Sequence, residues 1–406
     1  MGIPGQAASA FSPVSALARS VALGAGGLLV ALWLHWTLWP TRTPDVDTFL
    51  LPWYRHILAH GPVGAFSEPF SNYTPPYLYL LALASRFDGW ADPFTLIKLL
   101  SVAGSGSLAL AVHALLRGAE AAHPRLGAAF AFILPTVAVN AAGLGQCDAL
   151  WAGACVWAVA EATRGRTRAM LIWCGVAVAF KAQAAFLAPF ALGVLLARKA
   201  PPLWWLIPPA VFMAAMLPAL LAGWPLVDIL LVYPRQASWF SSAGNAANPW
   251  VAVRAALGAD AAPLFPIGYL AAFIAATTIA LRGWRERWSG SALIQPALLS
   301  ALALPWLLPK MHERYFVLAD VLAFALAWTA RTRPTVLIAA AVQFASLCAL
   351  FSYWAGWPGA AIGGGVVAGL ALLQLLRLRP ERLASDDAPA ASGVRRSGSA
   401  RPPAPG

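Results

Sequence analysis

The chain has 406 residues, of which 60% are hydrophobic and 11% charged, and its formal net charge is +12. Soluble domains carry about twice that share of charge, so a soluble globular fold is excluded. The apolar runs do not alternate as barrel strands do, and no basic stripe interleaves with aromatics, which sets aside a transmembrane β-barrel and a nucleic-acid binder. A bilayer core takes about 20 apolar residues per helix. Such runs recur along this chain, so the expected fold is all-α: a polytopic transmembrane helical protein.

Within the first span, read at 17–39, Arg19 precedes an apolar run at 21–39 that ends in His35-Trp36-Thr37-Leu38-Trp39-Pro40. It lacks a small-residue cleavage site and reads as a retained first span with an aromatic belt. A long loop, 40–75, follows. Within it Phe49, Leu50, Trp53 and Ile57 fall at helical spacing, which predicts an interfacial helix over 48–60. Further apolar segments are read at 76–90, 94–117, 124–143, 147–163, 167–180, 183–198 and 203–223. After a second long loop, 224–262, they resume at 263–282, 291–309, 313–331, 334–353 and 357–378. This gives about 11–13 spans. The stretch 380–406, rich in Pro, Ala, Ser, Gly and Arg, is expected to be a disordered tail, leaving 1–379 as one membrane domain. Cys147, Cys155, Cys174 and Cys348 show neither metal-ligand spacing nor a disulfide framework and read as small core residues.

Loop charge orients the chain. Arg377, Arg379, Arg382, Arg395 and Arg396 place the tail on the cytoplasmic side, and the loops 331–334, 282–290 and 198–202 are basic on the same side, as the positive-inside rule expects. Loop 40–75 then lies outside. Two crossings at 76–90 and 94–117 would put Arg117 and Arg125 outside as well, against the rule. Either one of those segments does not cross or this loop is an exception.

Most other polar clusters gather on the outer side. Asp45 and Asp47 stand out in a chain with only 16 acidic residues. They are either solvated carboxylates at a helix N-terminus, a general base for a hydroxyl, or a metal-holding pair. Lys310-Met311-His312-Glu313-Arg314 is either a polar turn or a set of cations that binds a phosphate and stabilises the charge on it as it leaves. In the second reading Glu313 orients Lys310 or Arg314. Lys181 interrupts an apolar stretch, where a charge defaults to a functional hypothesis; its alternative is snorkelling at a hairpin tip. Gln146 and Asp148 either open a helix or meet sugar hydroxyls or a cation. Asn72-Tyr73-Thr74-Pro75-Pro76-Tyr77 is either a proline-started helix or a stacking surface for a sugar ring or prenyl chain. Asn248-Pro249-Trp250 carries a weaker version of the same choice.

In this order and spacing, four of these elements resemble the GT-C glycosyltransferases, bacterial relatives of the GPI-anchor and dolichol-pathway mannosyltransferases among them. They are Asp45 ahead of Phe49-Leu50-Leu51-Pro52-Trp53, the Asn72-Tyr73-Thr74-Pro75-Pro76 segment, Gly145-Gln146-Cys147-Asp148, and Met311-His312-Glu313-Arg314-Tyr315. The resemblance implies inverting transfer of a mannose or other hexose from a polyprenyl-phosphate donor to an acceptor hydroxyl on a lipid-linked glycan, polysaccharide or protein. It also implies a bacterial inner-membrane protein whose site faces the periplasm. It favours Asp45 over Asp47 as the base, since the family keeps the acid eight residues before the tryptophan. The expected donor-phosphate set is Lys310, His312, Arg314 and Lys181. The expected sugar or acceptor set is Tyr73, Gln146, Asp148, Asn248, Trp250 and Glu313. No metal and no cofactor is expected. The sequence departs from the family pattern at Cys147, with no Trp before Gly145, and at Lys181-Ala182-Gln183, where Pro-Gln is commoner. A transporter or flippase of lipid-linked sugars is the alternative, but it calls for polar residues across the midplane and for repeats.

Overall fold

The computed structural model describes residues 13–239 and 244–378; the expected tail, 380–406, lies outside them. Among the described residues the chain is all-α, with no strand and one isolated bridge between Asp88 and Ala91. The helices are α1 (Pro13–Leu38), α2 (Leu51–His60), α3 (Pro75–Ala84), α4 (Pro93–Gly118), α5 (Pro124–Phe132), α6 (Pro135–Ala138), α7 (Asp148–Thr163), α8 (Thr167–Phe180) and α9 (Ala188–Ala197). They continue as α10 (Ile207–Ala222), α11 (Leu226–Trp239), α12 (Pro249–Leu257), α13 (Phe265–Glu286), α14 (Ile294–Leu307), α15 (Val317–Ala330), α16 (Arg333–Ala355) and α17 (Pro358–Arg377). Proline opens α3, α4, α5, α12 and α17, where its missing N–H is harmless and its fixed φ suits the first turn. Asp92 and Thr332 cap α4 and α16 by accepting from the amides of Thr95 and Thr335.

Among the described residues six helical segments are long and apolar enough to cross a membrane, and a seventh is obtained if α5 and the following Pro135–Gly143, bent by 48°, count as one. This is fewer than the 11–13 expected. The segments at 167–180, 182–197 and 317–330 are apolar but shorter. In α7 every residue except Leu150 and Trp157 is buried. A helix covered on all sides faces protein instead of lipid, so the bilayer does not set its length. The expected span at 76–90 is corrected outright. Helix α3 has ten residues, about 15 Å of rise against a core of about 30 Å. It ends in a 3-10 turn, Ser85–Phe87, before Gly89 turns the chain at φ +87°. With 76–90 removed, α4 is the one crossing between the 40–75 loop and Arg117 and Arg125, and the conflict in loop charge disappears.

The helix expected over 48–60 is present as a π-turn, Val46–Leu50, running into α2, and its Leu50, Trp53 and Ile57 are buried in a core of the protein. Loop 224–262 is not a plain loop: it holds α11 and α12. Two large apolar cores result, beside a small cluster of Trp250, Ala261 and Phe265. One joins α4, α7, α8, α9, α14, α15, α16 and α17; the other joins α2, α3, the start of α4, and residues of α10 and α11. Trp53 and Tyr73 belong to the second, Phe186 and Tyr315 to the first, and the candidate site lies along the seam between them.

Candidate active site

The loop after α1 is fixed from below by Lys98. Its side chain is fully buried in α4, and its Nζ donates to the carbonyls of Trp39 at 2.6 Å, Thr41 at 2.7 Å and Leu38 at 3.4 Å. Leu38 ends α1, Trp39 and Thr41 lie in the turn and loop beyond it, and the Leu38 carbonyl also accepts from the Thr41 amide at 3.1 Å. Four residues past Thr41, Asp45 accepts from Gln146 Nε2 at 3.0 Å and pairs with Arg314 Nη2 at 3.1 Å, both at Oδ2. Gln146 follows Gly145, whose φ is +65° and where a Cβ would come within 3.3 Å of Val46. A side chain there would be both strained and crowded.

Behind Asp45 lies a second tier of charge. Lys181 stands in extended backbone at the break after α8, almost fully buried, with Nζ 2.6 Å from Asp148 Oδ1. Asp148, the first residue of α7, also accepts from Asn140 Nδ2 and Trp151 Nε1, each at 3.0 Å. Its Oδ2 lies 3.4 Å from Arg314 Nε, an ion-pair distance without hydrogen-bond alignment. Arg314 Nη1 donates to Glu313 Oε1 at 2.8 Å, and His312 Nδ1 lies 3.8 Å from Glu313 Oε2. One guanidinium therefore joins three carboxylates.

Burial pushes Lys181 toward losing its proton, but the Asp148 charge overrides it and Lys181 is held well above the usual lysine range. Burial likewise raises Glu313, yet the hydrogen bond from His312 and the charge of Arg314 prevail and lower it to about 2. Tyr73 is raised, first by burial, and remains a phenol.

These groups open onto a cavity of about 100 Å³ whose lining includes Asp45, Tyr73, Gln146, Lys181, His312 and Arg314. Its apolar wall is Phe49, Leu50 and Trp53. The Tyr73 ring lies tilted at 55° to that of Trp53 with centroids 5.0 Å apart, its centroid is 4.7 Å from Lys181 Nζ, and its hydroxyl donates to Gln146 Oε1 at 3.4 Å. A neighbouring cavity of about 230 Å³, lined by Gln183, Tyr233, Tyr269 and Lys310 among others, shares Gln236 and Tyr315 with the first.

Six of the expected site residues thus meet in one cavity, while Lys310 lines its neighbour. The others lie elsewhere. Asp47 turns away and pairs with Arg42 at 2.8 Å on the exposed surface. Asp148 and Glu313 line neither cavity; both are buried against the cations. Asn248 and Trp250, expected near sugar, instead close the end of α14. Asn248 Nδ2 donates to the carbonyls of Pro305 and Leu308 at 3.1 Å, and Trp250 Nε1 to that of Leu307 at 2.7 Å. The last carbonyls of a helix need such partners, and the closure fixes the turn that carries Lys310 to Arg314. Sequence reasoning missed Gln236, Asn140 and Lys98. Lys98 had a signal, being the lone charge in the 94–116 run. Among the described residues no group of acidic, histidine and cysteine side chains could hold a metal ion.

No protein-family model matches the chain and no curated protein matches it. Among solved structures it is similar to ArnT from Cupriavidus metallidurans, a crystal structure bound to undecaprenyl phosphate. The identity is 16% and the TM-score 0.48, over 90% of this chain and 76% of that one. A likeness at that level assigns no role to any side chain, so the roles proposed next rest on geometry and on the sequence motifs.

Proposed function

We propose that this protein is an integral-membrane glycosyltransferase of the GT-C type that moves a monosaccharide from a polyprenyl-phosphate donor to an acceptor hydroxyl with inversion. The observation that carries this reading is the meeting of Asp45, Lys181, His312 and Arg314 at one cavity between two apolar cores. Asp45 takes the proton of the acceptor hydroxyl. The oxygen bonds to the anomeric carbon as the carbon–oxygen bond to phosphate breaks, and the lipid phosphate leaves with that electron pair. Arg314, His312 and Lys181 meet its charge in a setting poor in water, where fixed donors act strongly. Arg314 Nη2, which contacts Asp45, is the group a donor phosphate takes over, and that exchange releases Asp45 to the hydroxyl. Asp148 and Glu313 hold the two cations in place. The basic loops 198–202, 282–290 and 331–334 support a cavity that faces the periplasmic side of the inner membrane.

Purified protein given polyprenyl-phosphate hexoses and no ion gradient should form glycosylated product. Asp45→Asn should lower turnover at least about 10²-fold while donor still co-purifies, and Asp47→Asn should leave turnover within a few-fold of wild type. Near-normal transfer by Asp45→Asn would remove Asp45 as the base. Transport in liposomes without product formation would overturn the whole reading.

A further inference from the structure

The opposite end of the bundle carries two adjoining clefts that the proposed reaction does not use. Arg117 stands on α4 beyond Lys98 by roughly 28 Å of helix, close to the thickness of a hydrocarbon core. Around it His113, Arg125 and His123 line a cleft of about 680 Å³. His123 and Leu126 also line a second cleft of about 670 Å³, whose walls include Phe324, Trp328, Val336 and Ala339, with Arg331 among them. Both volumes fall in the usual range for ligand pockets, roughly 300–1,000 Å³. The cationic corner is held in shape. Trp328 Nε1 and Arg331 Nη2 both donate to the carbonyl of Ala122, at 2.9 and 3.3 Å, tying the α4–α5 turn to the end of α15. Among the described residues no Asp or Glu lines either cleft.

We propose that the joined clefts form a binding site for one anionic phospholipid of the leaflet on that side. Its phosphate lies among Arg117, Arg125, His123 and Arg331, and one acyl chain lies along Phe324 and Val336. Charge complementarity selects this occupant. A cationic rim continuous with an apolar cleft between membrane helices matches an amphiphile with a negative head. A soluble phosphate would leave the apolar cleft unused, and a zwitterionic lipid would not use the surplus of positive charge.

The test is native mass spectrometry of the full chain released from nanodiscs that mix phosphatidylglycerol and phosphatidylcholine with the same acyl chains. One phosphatidylglycerol should be retained preferentially. Arg125→Ala combined with Arg331→Ala should lower that retention about tenfold, whereas Arg285→Ala with Arg287→Ala, in another basic loop, should not. Ala339→Trp, which fills the apolar cleft and leaves every charge in place, should lower it as well. Each variant is compared as a monodisperse peak of unchanged melting temperature. Equal retention of both lipids, equal loss from the Arg285 and Arg287 pair, or full retention by Ala339→Trp would each overturn the site. So would displacement of the lipid by inorganic phosphate alone, or a lipid-free dimer.

Discussion

Asp148 is fully buried and faces Lys181, Arg314, Asn140 and Trp151 at once. Removing one partner of a buried ion pair costs about 3–5 kcal/mol, because the other charge is left uncompensated. Asp148→Asn should therefore lower the melting temperature sharply in detergent. Lys181→Met combined with Asp148→Leu should recover much of that loss and still fail in transfer, which separates folding from phosphate binding; a double variant with full transfer would exclude Lys181 from the reaction. Glu313 gives a pH prediction. Its folded-state value is depressed from 4.5 to about 2, so the stability it contributes is fully present above about 4.5 and is lost as pH falls toward 2. The melting-temperature gap between wild type and Glu313→Gln should narrow as pH falls below about 4.5. A gap unchanged down to about pH 3 would contradict the pairing.

At the scale of elements, Lys98 acts on the site without touching it. Lys98→Met leaves three carbonyls without their shared donor and frees the loop leading to Asp45. It should lower kcat about tenfold or more, as misplacement of a catalytic group does, while the donor KM changes little; a rise in KM with unchanged kcat would refute that positioning role. Much of this arrangement was legible from sequence: the membrane class, the helix at 48–60 from the spacing of Leu50, Trp53 and Ile57, and four polar clusters that do converge. Three parts were not. The short α3 was hidden because an apolar run shows no endpoint until Arg86 and Asp88 are seen to close it. Helix α11 was hidden because Asp228, Pro234 and Arg235 lower the hydropathy of a helix whose role is to dock Tyr233 and Gln236 beside the site. The roles of Asn248 and Trp250 depend on which carbonyls end up at the tip of α14, and that is a tertiary fact.

For the molecule as a whole, the brevity of α3 predicts that loop 40–75 and the Arg117–Arg125 turn lie on opposite sides of the membrane. Asp47→Cys and Glu120→Cys, each in a background cleared of reactive native thiols, should be labelled by an impermeant reagent from opposite faces of sealed vesicles. Labelling of both from one face would restore 76–90 as a crossing. Helix length carries a further consequence. Helix α15, of 14 residues, and α16, of 23, adjoin through a two-residue connection at Arg331 and Thr332. They therefore start level on that side, and at about 21 and 35 Å long they end about 14 Å apart on the other. Arg314 sits just ahead of the shorter helix, and a bilayer matched to α15 is thinner than one matched to α16. Turnover should then depend on lipid chain length, falling as the bilayer thickens beyond what the short helices match.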